Sequence, residues 1–108
     1  MTKEEVIARI RELAIIPAVR ASNDEDALFA AEAVSRGGIP IVELTMTVPK
    51  ANELIAHLVK KHPHMVVGAG TVLDLETARA CLAAGAKFIT SPGLDPEIVR
   101  FAVQRALP

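Results

Sequence analysis

At 108 residues, 51% of them hydrophobic and 23% charged, the chain is long enough for one small domain with a real core, and its formal net charge is -1. That balance supplies no basic field for nucleic acid or an anionic membrane surface, and 3% aromatics with no Trp or Tyr leave no platform for stacking bases or sugar rings. A single cysteine, Cys81, excludes an intrachain disulfide and fits a reducing, cytoplasmic setting.

The charged start, Met1 to Glu5, leads into no signal-like apolar run, and no apolar stretch reaches the length of a bilayer span. Thr2 and Glu5 form a Thr-x-x-Glu capping box, and Val6, Ile7, Ile10 and Leu13 then recur at helical spacing, which predicts a leading helix. Residues 15–20 are β-rich and predict a first strand. Ser22 and Glu25 read as a second capping box, opening a helix through Ala27, Leu28, Ala31 and Val34 that Gly37 and Gly38 stop. A second strand is predicted over residues 39–46. Pro49 sits where a first helical residue belongs, and Leu54, Ile55, Leu58 and Val59 form the next apolar stripe, ending near Pro63.

Residues 65–70 predict a third strand. Asp74 caps a helix running to Ala84, closed by Gly85, and Cys81 within it reads as a small packed residue rather than a reactive thiol. Phe88, Ile89 and Thr90 predict a fourth strand, and Asp95-Pro96-Glu97 starts a last helix through Ile98, Val99, Ala102 and Val103. A leading helix plus four strand–helix units, uninterrupted by any linker, points to a parallel α/β architecture in one domain. Two folds share this grammar, the open doubly wound sheet and the (β/α)₈ TIM barrel, of which four units make half.

In either fold functional groups gather at the C-terminal ends of the strands. Those ends carry Arg20, the segment Glu43 to Thr47, the run Gly68-Ala69-Gly70-Thr71, and Thr90 to Pro92. Strand alternation puts Val42, Leu44 and Met46 on an apolar face, and Ile41, Glu43, Thr45 and Thr47 on the other. An internal echo between the Gly37-Gly38 and Gly85 joints places Thr90 and Pro92 level with Glu43 and Thr45. A carboxylate on that face is costly unless paired or hydrated, and burial tends to raise a carboxyl pKa, which suits general acid–base work; the plain alternative is a Glu paired with a base such as Arg20. Gly68 and Gly70 either let backbone approach a ligand or merely allow tight strand packing, and match neither a dinucleotide fingerprint nor a phosphate-binding Gly-Lys-Ser/Thr loop. Arg20 either holds a carboxylate or phosphate in a bidentate pair or bridges to Asp24 or Glu25. His57, His62 and His64 lie on a helix and its exit with no metal-site spacing, and read as solvent-facing.

Three segments in order, Val42-Glu43-Leu44-Thr45-Met46-Thr47, Val67-Gly68-Ala69-Gly70-Thr71-Val72 and Ser91-Pro92-Gly93-Leu94, resemble the 2-keto-3-deoxy-6-phosphogluconate/4-hydroxy-2-oxoglutarate (KDPG/KHG) aldolases, and the likeness runs the length of the chain. The resemblance implies a class I aldolase on a (β/α)₈ barrel, cytoplasmic, trimeric and without metal or other cofactor. Its substrate is a small keto acid cleaved to pyruvate plus glyceraldehyde 3-phosphate or glyoxylate. By motif, Glu43 resembles the family's acid–base, Thr71 a contact to the pyruvyl part, and Pro92 a residue packing beside that part. Some members carry Arg at the position of Thr47 to grip the substrate carboxylate; those with Thr-x-Thr-Val-Pro tend to carry Arg on the first strand instead, as Arg20 is here.

The family's Schiff-base lysine lies on the sixth strand and its phosphate site on the seventh and eighth, so these residues are expected to be the N-terminal half of one barrel domain and inactive alone. The alternative is a non-catalytic half-barrel that self-assembles or complements another half; a sugar-phosphate epimerase fits the second-strand Glu and Ser91-Pro92-Gly93 less well. Of the lysines, Lys3, Lys50, Lys60 and Lys61 are predicted on helices and Lys87 at the wrong end of a strand. Borohydride reduction of the isolated chain with pyruvate is therefore expected to leave its intact mass unchanged; an adduct on any of these lysines contradicts that.

Overall fold

The computed structural model describes all of residues 1–108. Helix α1 spans Lys3–Leu13, and the Thr2 box forms as its sequence demands: the Glu5 amide donates to Thr2 Oγ1 (3.2 Å) and the Thr2 amide to Glu5 Oε2 (2.7 Å). Then follow β1 (Ala18–Val19), α2 (Asp24–Arg36), β2 (Ile41–Thr45), α3 (Ala51–Lys61), β3 (Val66–Gly70), α4 (Leu75–Ala84) and α5 (Pro96–Gln104). The three strands are parallel and stand in chain order, with Ala18 opposite Glu43, Ile41 opposite Val66 and Thr45 opposite Gly70.

Two helix starts differ from expectation. Asn23, not Ser22, caps α2, its side-chain oxygen accepting from the Asp26 amide at 2.8 Å while its Nδ2 donates to the Asp26 carboxylate at 3.1 Å. Asn is as good a cap as Ser and lies one residue nearer the first helical turn. Pro49 is not the first residue of α3. It follows a turn closed by the Val48 amide on the Thr45 carbonyl (3.0 Å), and the helix opens at Ala51 behind Lys50, which is left-handed (φ 57) and gives no side-chain cap. Asp74 and Gly85 bound α4 as expected, Gly85 at φ 104, where a side chain would be strained.

The fourth expected strand is reduced to one parallel bridge, Ala69 with Ile89. Its backbone still lies along β3: Lys87 donates to Val67 O (2.8 Å), Ala69 to Phe88 O (3.0 Å) and Thr90 to Ala69 O (2.9 Å). The run is squeezed between the Gly85 turn and Pro92, which has no amide to extend a ladder. On its outer side the Ile89 amide donates to the Pro108 carbonyl at 3.2 Å. At the opposite edge β1 is only two residues long, directly after Pro17.

Helices α2 to α5 all pack on one face of the sheet. Val42, Leu44, Val67 and Ala69 meet Ala27 and Ala31, Leu54 to Leu58, Ala78 and Cys81, and Ile98 and Phe101 in one core. A doubly wound sheet would reverse its strand order and place helices on both faces; here the order never reverses. The second face is divided. Near the strands' N-terminal ends Ile41, Val66 and Phe88 are buried against Val6 of α1, with Ile10, Leu13 and Ile16 around them. Toward the C-terminal ends the same face carries Glu43, Thr45, Gly68 and Gly70.

His62 departs from its expected place in solvent. Its ring lies 3.1 Å from Glu32 Oε2, with Lys61 Nζ at 3.4 Å from the same oxygen, joining α3 to α2. Partial burial works against an ionised Glu32, but hydrogen bonds and charge from Lys61 and His62 outweigh it and hold the carboxyl below its ordinary pKa. A carboxyl depressed on folding adds stability above its unfolded pKa, and that contribution fades as pH falls through the folded value. The melting temperature of Glu32→Gln is accordingly expected to lie below that of the wild type at neutral pH and to converge with it below about pH 4. Circular-dichroism melts across pH 7 to 3 measure this; a constant offset would mean the pair carries no charge linkage.

Candidate active site

Six residues from four consecutive strand ends line one concave site of about 170 Å³: Arg20, Glu43, Thr71, Thr90, Ser91 and Pro92. Each arrives by a different route. Arg20 follows the last residue of β1, Glu43 is the central residue of β2, and Thr71 is the first residue beyond β3. Thr90, Ser91 and Pro92 leave the bridged fourth segment. Parallel strands in sequential order make this convergence unavoidable, because every strand ends on the same side.

Glu43 is half-buried and Arg20 exposed, and neither enters an ion pair: those present join Arg9 to Glu12, and Glu32 to Lys61 and His62. The ordinary pairings open to these two residues, Glu43 with Arg20 and Arg20 with Asp24 or Glu25, are therefore not made. A carboxylate and a guanidinium face the same small space with their hydrogen-bonding capacity available. Three hydroxyls, from Thr71, Thr90 and Ser91, can donate or accept there, and Pro92 offers an apolar wall.

The glycines of Gly68-Ala69-Gly70 make room for side chains of this protein. A Cβ at Gly68 would overlap the Phe88 ring. One at Gly70 would overlap the Glu43 carboxyl and come within 2.6 Å of its Cγ. The run thus seats the carboxylate rather than offering bare backbone to a ligand. Thr71, immediately after it, is left-handed at φ 60. This is costly for a β-branched residue, and strain of this kind concentrates at working sites. The Val72 amide, donating to Thr90 O at 3.1 Å, fixes the turn to the next segment.

Thr47 is not among the lining residues. It is exposed, and its Oγ1 lies 2.7 Å from Thr45 Oγ1, which donates to the Val19 carbonyl at 3.2 Å. With the Thr45 proton used on Val19, the bond between the hydroxyls runs from Thr47 to Thr45. Thr45 is fully buried, and it ties the end of β2 to the end of β1, next to Arg20. Sequence reading placed Thr45 on the polar face without seeing this tether, and named Ser91 only as part of the Thr90 to Pro92 strand end, with no role of its own. Alternation signals the first, and position at a strand's C-terminal end the second.

No group of three or more His, Cys, Asp and Glu side chains has an arrangement that would hold a metal ion. Cys81 is a packed residue, as expected: burial in the main core, aided by the charge of Asp74, pushes its thiol up to about 11, and its Sγ–H points at Met46 Sδ (3.5 Å). No helix is long and apolar enough to cross a membrane.

The sequence model of the KDPG and KHG aldolase family matches residues 6–108. The 2-dehydro-3-deoxy-phosphogluconate aldolase of Pseudomonas aeruginosa is 37% identical over 109 residues, covering 97% of this chain and 50% of the relative. The solved 2-keto-3-deoxy-6-phosphogluconate aldolase of Zymomonas mobilis ZM4, with 3-phosphoglycerate, superposes with a TM-score of 0.84 at 32% identity, over 98% of this chain and 50% of that one. The KDPG aldolase of Legionella pneumophila, solved with pyruvate captured at low pH as a covalent carbinolamine intermediate, does so with a TM-score of 0.78 at 35% identity, over 86% and 45%. The chain spans about half the length of the curated relatives it matches. A polar site built from four consecutive strand ends, on a fold and sequence shared with these proteins, leads to one conclusion: the chain belongs to the KDPG and KHG aldolase family.

Proposed function

We propose that these residues form the N-terminal half of a (β/α)₈-barrel class I aldolase and contribute its proton-transfer carboxylate and part of its pyruvate pocket. The substrate class is a 2-keto-3-deoxy-6-phosphogluconate or 4-hydroxy-2-oxoglutarate, released as pyruvate and an aldehyde, in a cytoplasmic homo-oligomer such as a trimer. The observation that carries this reading is the joint placement of Glu43, Arg20 and three hydroxyls in one small cavity with neither charge paired. Sequential strand order with α2 to α5 on a single face supports closure into a barrel, whose interior is then the Glu43 face.

In this reading a lysine imine of the substrate is formed by the second half of the barrel; no lysine lines the cavity here. Glu43 moves protons, through water, between the bound carbon skeleton and solvent as the imine forms and the carbon–carbon bond breaks. Arg20 holds the pyruvyl carboxylate with a forked guanidinium. Thr71 and the hydroxyls beside it orient the same group, and Pro92 packs along it. Thr47 occupies the position of a carboxylate-gripping Arg in some relatives. With its proton committed to Thr45, it presents acceptor lone pairs and supports the substrate site from its edge rather than by donating to an anion.

A second reading, a non-catalytic half-barrel that pairs with itself or another half, draws on an open apolar groove lined by Ile89, Ile98, Val99, Ala102, Val103 and Pro108. Gel filtration of the isolated chain separates the two: a monodisperse dimer favours self-assembly, and a monomer or aggregate opposes it.

The catalytic reading is tested by joining residues 1–108 to the second half of the Pseudomonas aeruginosa relative. The chimera is expected to cleave 2-keto-3-deoxy-6-phosphogluconate and to trap pyruvate under borohydride. Glu43→Gln is expected to lower kcat by about 10²–10⁴-fold with trapping retained. Arg20→Ala is expected to raise KM by roughly tenfold or more, as loss of a charge-assisted contact requires. An active chimera indifferent to both substitutions would remove these assignments.

A further inference from the structure

Gly70 has no conformational need to be glycine. Its φ is not positive, it is the last residue of a regular strand and pairs with Thr45, and its neighbour Ala69 carries a side chain in the same ladder. What excludes a side chain at position 70 is the carboxyl of Glu43, which occupies the volume a Cβ would take. The register makes this informative. Glu43 stands opposite Gly68, and the side chain could lie over that residue instead. The Phe88 ring, buried from the fourth segment, already fills the space over Gly68. The two glycines therefore have separate occupants, and Glu43 is left to extend one row further toward the strands' C-terminal ends.

We propose that Gly70 is a positioning residue for Glu43: the missing side chain at position 70, with Phe88 filling the place below it, holds the carboxylate at the level of Arg20, Thr71 and Thr90. The inference rests on the reading of Glu43 as the proton-transfer group, but its physical content is independent of that reading. A methyl at position 70 and the Glu43 carboxyl compete for one volume. A methyl at position 68 meets the Phe88 ring first. Overpacking in a dense interior forces side chains off their rotamers, so the displaced carboxylate would leave its seat rather than share it.

The test is a double-mutant cycle on the 108-residue chain, read by thermal melting and by the carbon-13 titration of the Glu43 carboxyl, assigned with Glu43→Gln. Gly70→Ala is expected to lower Tm by about 5–10 °C in the wild-type background and by less than about 2 °C in a Glu43→Ala background. Gly68→Ala is expected to lower it equally in both. In folded Gly70→Ala the Glu43 carboxyl titration is expected to move from its wild-type position, and in folded Gly68→Ala to stay in place. Equal Tm losses for Gly70→Ala in the two backgrounds, or a Glu43 titration left in place, would overturn the proposal. If Gly70→Ala alone does not fold, folding of the Gly70→Ala/Glu43→Ala double variant supports it and failure of the double overturns it. None of these readouts needs turnover. An inactive chimera with a strong cycle would refute the aldolase assignment alone, and an active chimera with no coupling would refute the seat alone.

Discussion

The pairing of Ile41–Thr45 with Val66–Gly70 sets everything that follows in this molecule. Once those strands lie parallel, a two-residue period sends Val42, Leu44, Val67 and Ala69 to the helices and leaves Ile41, Glu43 and Thr45 on the other side, facing Val66, Gly68 and Gly70. A slip of one residue would bury Glu43 under α3 and turn Leu44 toward the cavity. The apolar side fixes this register. Val42, Leu44, Val67 and Ala69 are completely buried, so exchanging the faces would expose most of the core of a small domain. The polar site is specified from behind, by residues that never touch it.

The second face is then divided by α1. Val6 closes over Ile41, Val66 and Phe88, and what remains uncovered is a short band at the strands' C-terminal ends. Within that band the contents are constrained by volume as much as by charge. Phe88 takes the space over Gly68, Glu43 the space over Gly70, and Thr45 turns its hydroxyl to the Val19 carbonyl at the end of β1. Arg20 is placed by the residue just before it, and Thr71 by a strained turn whose next amide is held on Thr90.

Much of this was legible in the chain. Helices α1, α4 and α5 follow their caps, because Thr2, Asp74 and Asp95 are each adjacent to the turn they satisfy. The face of Glu43 follows from alternation alone. Expectation failed where two local signals compete or where contact is distant in sequence. Ser22 and Asn23 both offer a cap, and only the backbone path chooses between them. Pro49 is compatible with a first helical turn and with the tighter turn that in fact precedes Lys50. The Glu32–His62 pair joins residues thirty positions apart, one in α2 and one just past the end of α3, with no periodicity to announce it. The meaning of Gly68 and Gly70 needed the positions of Phe88 and Glu43, since a glycine in a strand signals close approach without saying what approaches.

The two-residue β1 has a further consequence, for how the protein behaves in a crowd. Exposed strand edges offer rows of unpaired amides and carbonyls on which other chains can grow, and long flat ones nucleate aggregates. Here the outer strand is only Ala18–Val19, behind a proline with no amide to give, while the far edge has its Ile89 amide taken by the Pro108 carbonyl. A foreign strand meeting residues 1–108 by themselves finds few free groups in succession at either side, so β-stacking on this part of the sheet has little to build on. The brevity of the first strand gives these residues, taken by themselves, a measure of colloidal self-protection.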